Sequence, residues 1–252
     1  MLDLLSVFNL SWWEWGLAIL CALMFGFSRT AFNSVSILAI PLMAAIFGGK
    51  TSSAIVLPLL IAGDLMAVKK YNTSTNWSYL LRLLPWSLGG LTIGVLVGNL
   101  VNDRQFTLIV GFSVLLCLVF MIWLERRGNA KPLPNPWWLG ALIGLAGGFT
   151  TMIGNAAGPV INVYFLAMRL PKFEFIGTSA WYYLIVNLAK VPLQIFVWKA
   201  VTPSILAFAT VMIPVILIGA VIGIKTVRRI PEKPFRMVVT ALTGAAVLKL
   251  FF

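Results

Sequence analysis

The chain has 252 residues, of which 60% are hydrophobic and only 10% are charged, and its mean hydropathy is +0.98. A soluble domain carries about 25% charged residues, so this chain lacks the polar groups that a water-exposed surface requires. Lipid removes that requirement because it solvates apolar outward faces. The composition therefore predicts an integral membrane protein without a soluble domain.

The net charge of +12 would suggest a nucleic-acid-binding surface in a soluble protein. Here the basic residues are scattered through short loops between apolar runs, so we expect membrane lipids and no nucleic acid around this chain. The chain has no histidine, and its two cysteines, Cys21 and Cys117, lie inside apolar runs. We therefore expect no disulfide, no metal site and no cofactor.

Apolar runs divide the chain into ten segments, which predict an all-α polytopic membrane protein with about 8 to 10 hydrophobic helical segments. The segments lie at 13–28, 34–47, 51–68, 77–101 and 105–124 in the first half, and at 137–152, 156–168, 173–198, 203–224 and 235–252 in the second. Segments 34–47 and 156–168 are too short to cross alone, since a straight span needs about 20 residues. Each forms, with the segment before it, either two short crossings or a hairpin that turns back inside the membrane.

The two halves of the chain resemble each other, which predicts a first repeat at 1–127, a cytoplasmic linker at 128–136 and a second repeat at 137–252. The corresponding positions are Gly26 and Gly148, Asn33 and Asn155, Pro85 and Pro214, Gly90 and Gly219, and Gly94 and Gly223. Small residues let membrane helices approach closely, so we interpret these glycines as packing residues. Five crossings per half, or three crossings and a hairpin with broken, short helices near the midplane, give inverted-topology repeats, a common plan of secondary transporters.

The charges of the loops predict that the N-terminus lies outside the membrane. The inner side then receives most of the basic residues, namely Arg29, Lys69, Lys70, Arg126, Arg127, Lys131, Arg169, Lys172, Lys225, Arg228, Arg229, Lys233 and Arg236. The outer side receives Lys50, Arg104 and Lys199. If the short segments form hairpins, only Arg29 changes its place.

Polar residues interrupt the apolar run between the first two segments of each half, in FGFSRTAFNSVS (25–36) and GGFTTMIGNAAGP (147–159). A short helix follows each break, and we expect Asn33 or Ser34 to cap the first helix and Asn155 the second. Helix N-termini attract anions, so two of them meeting from opposite faces predict an anion site near the midplane. The candidate substrate-binding residues are Ser28, Arg29, Asn33, Ser34, Thr150, Thr151, Gly154 and Asn155.

Two of these assignments have alternatives. Arg29 has a planar donor fork that suits an oxyanion, but it is equally interpreted as a topology determinant at the inner interface. Ser28, Thr150 and Thr151 offer hydroxyl donors to an anion, or else satisfy their local backbone.

A second polar set lies in the third segment of each half. Asp64 corresponds to Asn187, and Lys190 follows Asn187 by one helical turn. Ionisable groups inside membrane segments are costly and usually functional, so these three are candidate coupling or gating residues. We expect Asp64 to pair with Lys190 or to take up a proton during transport. The alternative places Asp64 at the inner interface beside Lys69 and Lys70, with Lys190 reaching towards water.

No catalytic constellation is visible in the sequence, which has no Ser/His pair, no metal-ligand cluster and no Walker loop. We therefore expect no enzymatic activity.

In layout, the chain resembles the sulfite exporter family TauE/SafE. The length, the order of segments, the short basic linker and the duplicated openings of the halves carry the resemblance. Phe32-Asn33-Ser34 and Gly154-Asn155-Ala156 stand where that family has a glycine-rich motif. The resemblance implies a multi-pass permease of a bacterial or archaeal inner membrane that handles sulfite, sulfoacetate or another organosulfonate.

The leading hypothesis is thus a secondary transporter, an exporter or permease, that moves a small sulfur-containing anion by alternating access. Its alternatives are an anion channel and an uptake permease that couples another small organic anion to protons. A lipid-modifying membrane enzyme and an assembly subunit are the remaining readings. A homodimer is compatible with the sequence.

Overall fold

A computed structural model of the chain describes residues 7–100, 137–155 and 157–231, together with 233–235, 237–238 and 241. The predicted segment 105–124 and the linker 128–136 lie outside the described residues, as does most of segment 235–252. Every regular element within the described residues is helical, which confirms the all-α prediction for this part of the chain.

Within the described residues, eight α-helices with defined bounds follow the predicted segments closely, four of them from each half. In the first half they are α1 (Trp12–Thr30), α2 (Ser36–Phe47), α3 (Gly49–Tyr71) and α4 (Trp77–Leu100), and in the second half α5 (Trp137–Gly154), α6 (Ala157–Ala167), α7 (Lys172–Pro192) and α8 (Pro203–Arg229). Two single 3₁₀ turns, Asn33–Val35 and Asn72–Ser74, and a π-helical turn, Leu193–Val197, join them.

Five of the described helices, α3, α4, α5, α7 and α8, are long and apolar enough to cross a membrane. The chain is therefore a multi-pass membrane protein. Helix α1 has 19 residues, but the Trp12–Trp15 stretch and Arg29 make its two ends less apolar. Its start is fixed by a capping box, in which the Ser11 backbone N–H and hydroxyl both donate to Glu14.

Helices α1 and α2 form a hairpin. The Cys21 thiol donates to the Ala39 carbonyl at 3.7 Å, and the rings of Phe8 and Phe47 meet at 5.4 Å, so α2 returns to the end where α1 begins. Thr30 at the tip is fully buried. The tip lies level with Asp64 of α3, and α3 continues for about 10 Å beyond that level. This geometry favours a hairpin that turns back inside the membrane.

The second half repeats this arrangement with α5 and α6. A Cβ placed on Gly147 would contact Ile161, which shows that α6 folds back along α5. The tip lies level with Lys190 of α7, whose side chain reaches Asn155, and the π-helical turn carries the chain about 10 Å further. Both tips therefore end inside the helical bundle.

Glycines bring helices of opposite halves into close contact. A Cβ on Gly26 would overlap the Ile216 carbonyl, and one on Gly219 would overlap the Leu23 carbonyl, so α1 and α8 touch backbone to backbone. The same contact joins α4 and α5, where Gly90 meets Leu145 and Gly148 meets Ser87. The interpretation of these glycines as packing residues is thus confirmed.

The directions of the helices follow from these contacts. Trp15 stacks on Phe208, and the Thr30 hydroxyl donates to the Ala220 carbonyl at 2.9 Å, so α1 and α8 run parallel. Helices α3 and α7 cross at the centre and run antiparallel, because Asp64 contacts Asn187 while Tyr71, further along α3, stacks on Phe173 at the start of α7.

Exposed cations distinguish one end of the bundle from the other. The first, which we term the basic end, carries the exposed residues Lys69, Lys70, Arg169, Arg228 and Arg229. The buried Lys172 lies there too and donates to the Val227 and Ile230 carbonyls. The other, the aromatic end, carries the packed rings of Phe8, Trp15, Phe47 and Phe208.

Replacement of Gly90 by alanine tests the close approach of α4 and α5. The new methyl group would displace the backbone of α5, and overpacking of this kind costs about 1–3 kcal/mol. We expect Gly90→Ala to melt several degrees below the wild type in detergent. Gly89→Ala is the matched control, because a Cβ there only touches the Leu145 side chain at an ordinary 3.5 Å. Equal melting temperatures of the two variants would contradict the packing described above.

Candidate functional site

The two hairpin tips meet near the centre of the bundle. The Asn33 carbonyl accepts hydrogen bonds from the hydroxyls of Ser28 at 3.1 Å and Ser36 at 2.7 Å. A Cβ on Gly158, at the start of α6, would lie 3.2 Å from that same carbonyl oxygen. The structure thus brings the breaks 25–36 and 147–159 together, as the sequence predicts.

Arg29 is buried at the tip of the first hairpin. Its Nε lies 3.5 Å from Asp64 Oδ1, and its guanidinium stacks over the Tyr183 ring at 4.6 Å. Arg29 is 5% exposed and Asp64 is 0% exposed. The interpretation of Arg29 as a topology determinant at the interface is therefore wrong, and so is the placement of Asp64 among the surface lysines.

Lys190 is fully buried at the tip of the second hairpin and does not reach towards water. Its ammonium donates to Asn155 Oδ1, to Asn187 Oδ1 at 3.4 Å and to Thr151 Oγ1 at 3.5 Å. The ammonium therefore has three polar side-chain partners, which come from α5, from the residue after α5 and from α7.

The expected ion pair between Asp64 and Lys190 is not formed, because the Asn187 amide stands between the two charges. Asn187 Nδ2 donates to Asp64 Oδ2 at 2.7 Å, while Asn187 Oδ1 accepts from the Lys190 ammonium. A primary amide has a donor and an acceptor on opposite sides, so it can bridge a carboxylate and an ammonium. The three predicted coupling residues are therefore one connected network.

The expectation that the side chain of Asn33 or Ser34 caps α2 is wrong. Its capping position is Val35, which offers no side-chain acceptor, because a 3₁₀ turn from Asn33 to Val35 precedes the helix. Asn155 adopts a left-handed backbone with φ of 52°, which asparagine tolerates better than most residues. Its Nδ2 donates to Ser53 Oγ at 3.3 Å and its Oδ1 accepts from Lys190, so this side chain serves the buried network.

The remaining candidates fall into two groups. The hydroxyls of Ser28 and Thr150 bond to nearby backbone, Ser28 to the Asn33 carbonyl and Thr150 to the Ala146 carbonyl at 2.8 Å. Thr151 instead faces Lys190. Gly154 ends α5 beside Asn155. The side chain of Ser34 lies outside the described residues.

The charges of this cluster do not balance among the side chains that the structure describes. Arg29 and Lys190 each carry a positive charge and Asp64 carries the negative one, which leaves an excess of one positive charge in a buried site. Asp64 Oδ1 and Arg29 Nε face each other at 3.5 Å without a hydrogen bond, so Arg29 is held there only as one member of an ion pair. A buried charge is costly unless it is paired, so the arrangement favours the arrival of a small anion.

Sequence reasoning missed three residues of this site. Tyr183 provides the ring beneath Arg29, and Ser53 accepts hydrogen bonds from Asn155 and from Gln194 Nε2, the latter at 3.3 Å. Ser53 and Gln194 are uncharged polar residues near the ends of apolar segments, where a search for ionisable groups does not select them. The sequence does carry one signal for Gln194: Pro192, a residue type that interrupts helices, lies two positions before it.

Comparison with known proteins identifies one family. The family model described as "Sulfite exporter TauE/SafE" matches residues 18–250, which includes every residue of the buried cluster. No curated protein matches the chain at a significant level. The resemblance noted in the sequence is therefore confirmed.

A double-mutant cycle tests the buried ion pair. Removal of one partner leaves the other charge uncompensated, so Arg29→Gln and Asp64→Asn should each destabilise the protein by about 3–5 kcal/mol. The double variant should lose clearly less than the sum of the two, measured by thermal unfolding in detergent. Lys69→Gln, an exposed site on the same helix as Asp64, is the control and should melt like the wild type. Strict additivity of the two changes would contradict the pairing.

Proposed function

The chain belongs to the TauE/SafE sulfite exporter family, and from that premise we propose that it is a secondary transporter of a small sulfur-containing anion. The family is one of membrane transporters of sulfur anions, which fits the multi-pass fold. Sulfite, sulfoacetate and other organosulfonates are the candidate substrates, and alternating access is the proposed mechanism.

The observation that carries this proposal is the excess positive charge at the hairpin tips. Arg29 offers a planar fork of N–H donors, which matches two oxygens of a sulfite or sulfonate group. Lys190 offers a second positive charge. Asn187 contacts both Lys190 and Asp64, and Asp64 in turn lies against Arg29, so the two cations are separated by these two side chains. An anion bound between them would balance the charge of the cluster and would replace Asp64 as the partner of Arg29.

We infer further that the halves 1–127 and 137–252, joined by the linker 128–136, are inverted-topology repeats. Two observations support this. The glycine-packed pair α1 and α8 has its counterpart in the pair α4 and α5, with glycines at corresponding positions. The central helices α3 and α7 occupy corresponding places and run antiparallel. Substrate sites of such transporters lie between the repeats near the midplane, and Arg29 and Lys190 lie between the two halves at the centre of the bundle.

The distribution of exposed cations supports a definite orientation. Lys and Arg are enriched in cytoplasmic loops, so we assign the basic end to the cytoplasm and the aromatic end, with the N-terminus, to the outside. Arg29 is buried, so it no longer counts among the basic residues of the inner side, and the remaining residues give the same orientation. We assign the protein to the cell membrane of a bacterium or archaeon.

The membrane potential favours export. An inside-negative potential is worth roughly 2.3 kcal/mol per charge per 100 mV and drives an anion outwards. Uptake requires a coupled cation, and Asp64 is placed to carry a proton because an arriving anion would take its place beside Arg29. Export and proton-coupled uptake therefore use the same residues, and only the direction in which the anion moves differs.

Transport in proteoliposomes tests the proposal. We expect purified protein to move one or more of sulfite, sulfate, sulfoacetate, taurine and small carboxylates with saturation and with acceleration by anion on the far side. Lys190→Met should lower the rate at least tenfold, because it removes one of the two buried cations. Lys70→Met deletes an equal charge at the exposed end of α3 and should retain wild-type flux. Flux without acceleration by far-side anion would indicate a channel, and equal rates of the two variants would contradict the site.

Arg29→Lys tests the recognition geometry separately from the charge. Lysine keeps the charge but loses the planar fork, so we expect the KM for the transported anion to rise about tenfold while the maximal rate changes little. Initial rates over a range of anion concentrations measure both quantities. An unchanged KM would show that Arg29 does not contact the substrate.

A further inference from the structure

A cavity opens at the aromatic end of the bundle, away from the basic loops. Its volume is about 530 Å³, and its lining includes Thr51, Trp198, Lys199, Thr202 and Ser204. We call it the vestibule. Thr51 and Lys199 are exposed, and the Lys199 ammonium gives this rim a positive charge that attracts anions from solution.

A pair of buried polar side chains lies a few residues along the chain from the residues that line the vestibule. Ser53 is two residues further along α3 than the exposed Thr51, and it is only 7% exposed. Gln194 precedes Val197 and Trp198 of the vestibule wall on the same turn and is fully buried. Gln194 Nε2 donates to Ser53 Oγ at 3.3 Å, so the pair joins α3 to the π-helical turn, and both of these elements also contribute residues to the vestibule wall.

The pair continues into the buried cluster without an apolar gap. Asn155 Nδ2 donates to the same Ser53 Oγ at 3.3 Å, and Asn155 Oδ1 accepts from the Lys190 ammonium. Hydrogen bonds therefore run from Gln194 through Ser53 and Asn155 to Lys190, and the exposed Thr51 lies two residues before Ser53 on α3. A continuous polar track through an apolar protein is expensive, and its presence indicates a route for a polar solute.

The backbone and side chain of Gln194 point to a role in ligand binding. Gln194 lies in the π-helical turn Leu193–Val197 that follows Pro192, and such turns are frequent at functional sites. Its Oε1 is buried and lacks a hydrogen-bond partner. Buried polar atoms are rarely left without a partner, so this amide is prepared for a group that arrives from elsewhere.

We propose that Ser53 and Gln194 form the neck between the vestibule and the buried cluster, and that they bind the substrate oxyanion as it passes. This inference rests on the proposed transport function. Within the neck the Gln194 amide donates to the anion, and a neutral donor holds an anion more weakly than Arg29 and Lys190 do. Rotation of the Gln194 amide would let Oε1 accept from the Ser53 hydroxyl and would turn its NH₂ group towards the anion. A weak neutral site between the vestibule and the charged site lets an anion leave as well as arrive.

Cysteine accessibility tests the neck. In a background with Cys21→Ala and Cys117→Ala, we expect Ser53→Cys to react from outside with a membrane-impermeant methanethiosulfonate that carries a sulfonate. The reaction should slow at least fivefold in the presence of sulfoacetate, which is used in place of sulfite because sulfite attacks the reagent. Thr51→Cys in the vestibule is the accessible control. Ala54→Cys is the buried control, since Ala54 is 0% exposed and adjacent to Ser53.

The outcomes of this experiment separate the neck from the transport function. If Ser53→Cys reacts no faster than Ala54→Cys, or if the anion gives no protection, the neck is wrong even where wild-type protein transports. If Ser53→Cys reacts and is protected while no anion crosses the membrane, the neck holds and the transport function fails.

Gln194→Glu provides a second, independent test. The substitution keeps the size of the side chain but places a carboxylate in the neck, so anion flux should fall at least tenfold at about pH 8. Protonation restores a neutral group, and flux relative to wild type at the same pH should recover at about pH 5. A variant that is merely misfolded would not recover in acid. Wild-type flux at both pH values would overturn the assignment of Gln194.

Discussion

The structure depends on keeping two cations and one carboxylate buried at the centre of an apolar bundle. Charges in such a place are costly, and here the cost is limited by contacts that both halves supply. Arg29 comes from the first hairpin tip and lies against Asp64 and Tyr183, while Lys190 is held by Asn155 and Asn187. The hairpins, the bridging amide and the glycine contacts all serve to bring these groups together in a space that lipid does not reach.

The two halves share a scaffold but differ in their chemistry. Arg29 corresponds in sequence to Thr151, and Asp64 corresponds to Asn187, so the second half has neutral residues where the first has an ion pair. Lys190 restores a cation to the second half, since its ammonium lies beside Thr151. The counterpart of Lys190 in the first half is Ala67, which is fully buried, smaller than lysine and uncharged. The two proposed repeats thus hold two cations by different means, and this asymmetry produces the single excess positive charge.

Hydropathy alone predicted the helices well, because helix limits in this protein coincide with the limits of apolar runs. The corresponding glycines were also interpreted correctly, since close packing leaves a mark in the local sequence. Side-chain partners were not predictable in the same way. The Asn187 bridge depends on the antiparallel crossing of α3 and α7, and the cap of α2 depends on a 3₁₀ turn that no residue pattern signalled. Ser53 and Gln194 meet only through tertiary structure, 141 positions apart.

The location of a bound anion tests the central claim most directly. Crystals grown with the selenium analogue of the transported anion would reveal its position through anomalous scattering at the selenium edge. We predict one strong peak within hydrogen-bonding distance of the Arg29 guanidinium and the Lys190 ammonium, with Asp64 displaced from Arg29. A peak elsewhere in the bundle, with the Arg29–Asp64 pair intact beside it, would contradict the account.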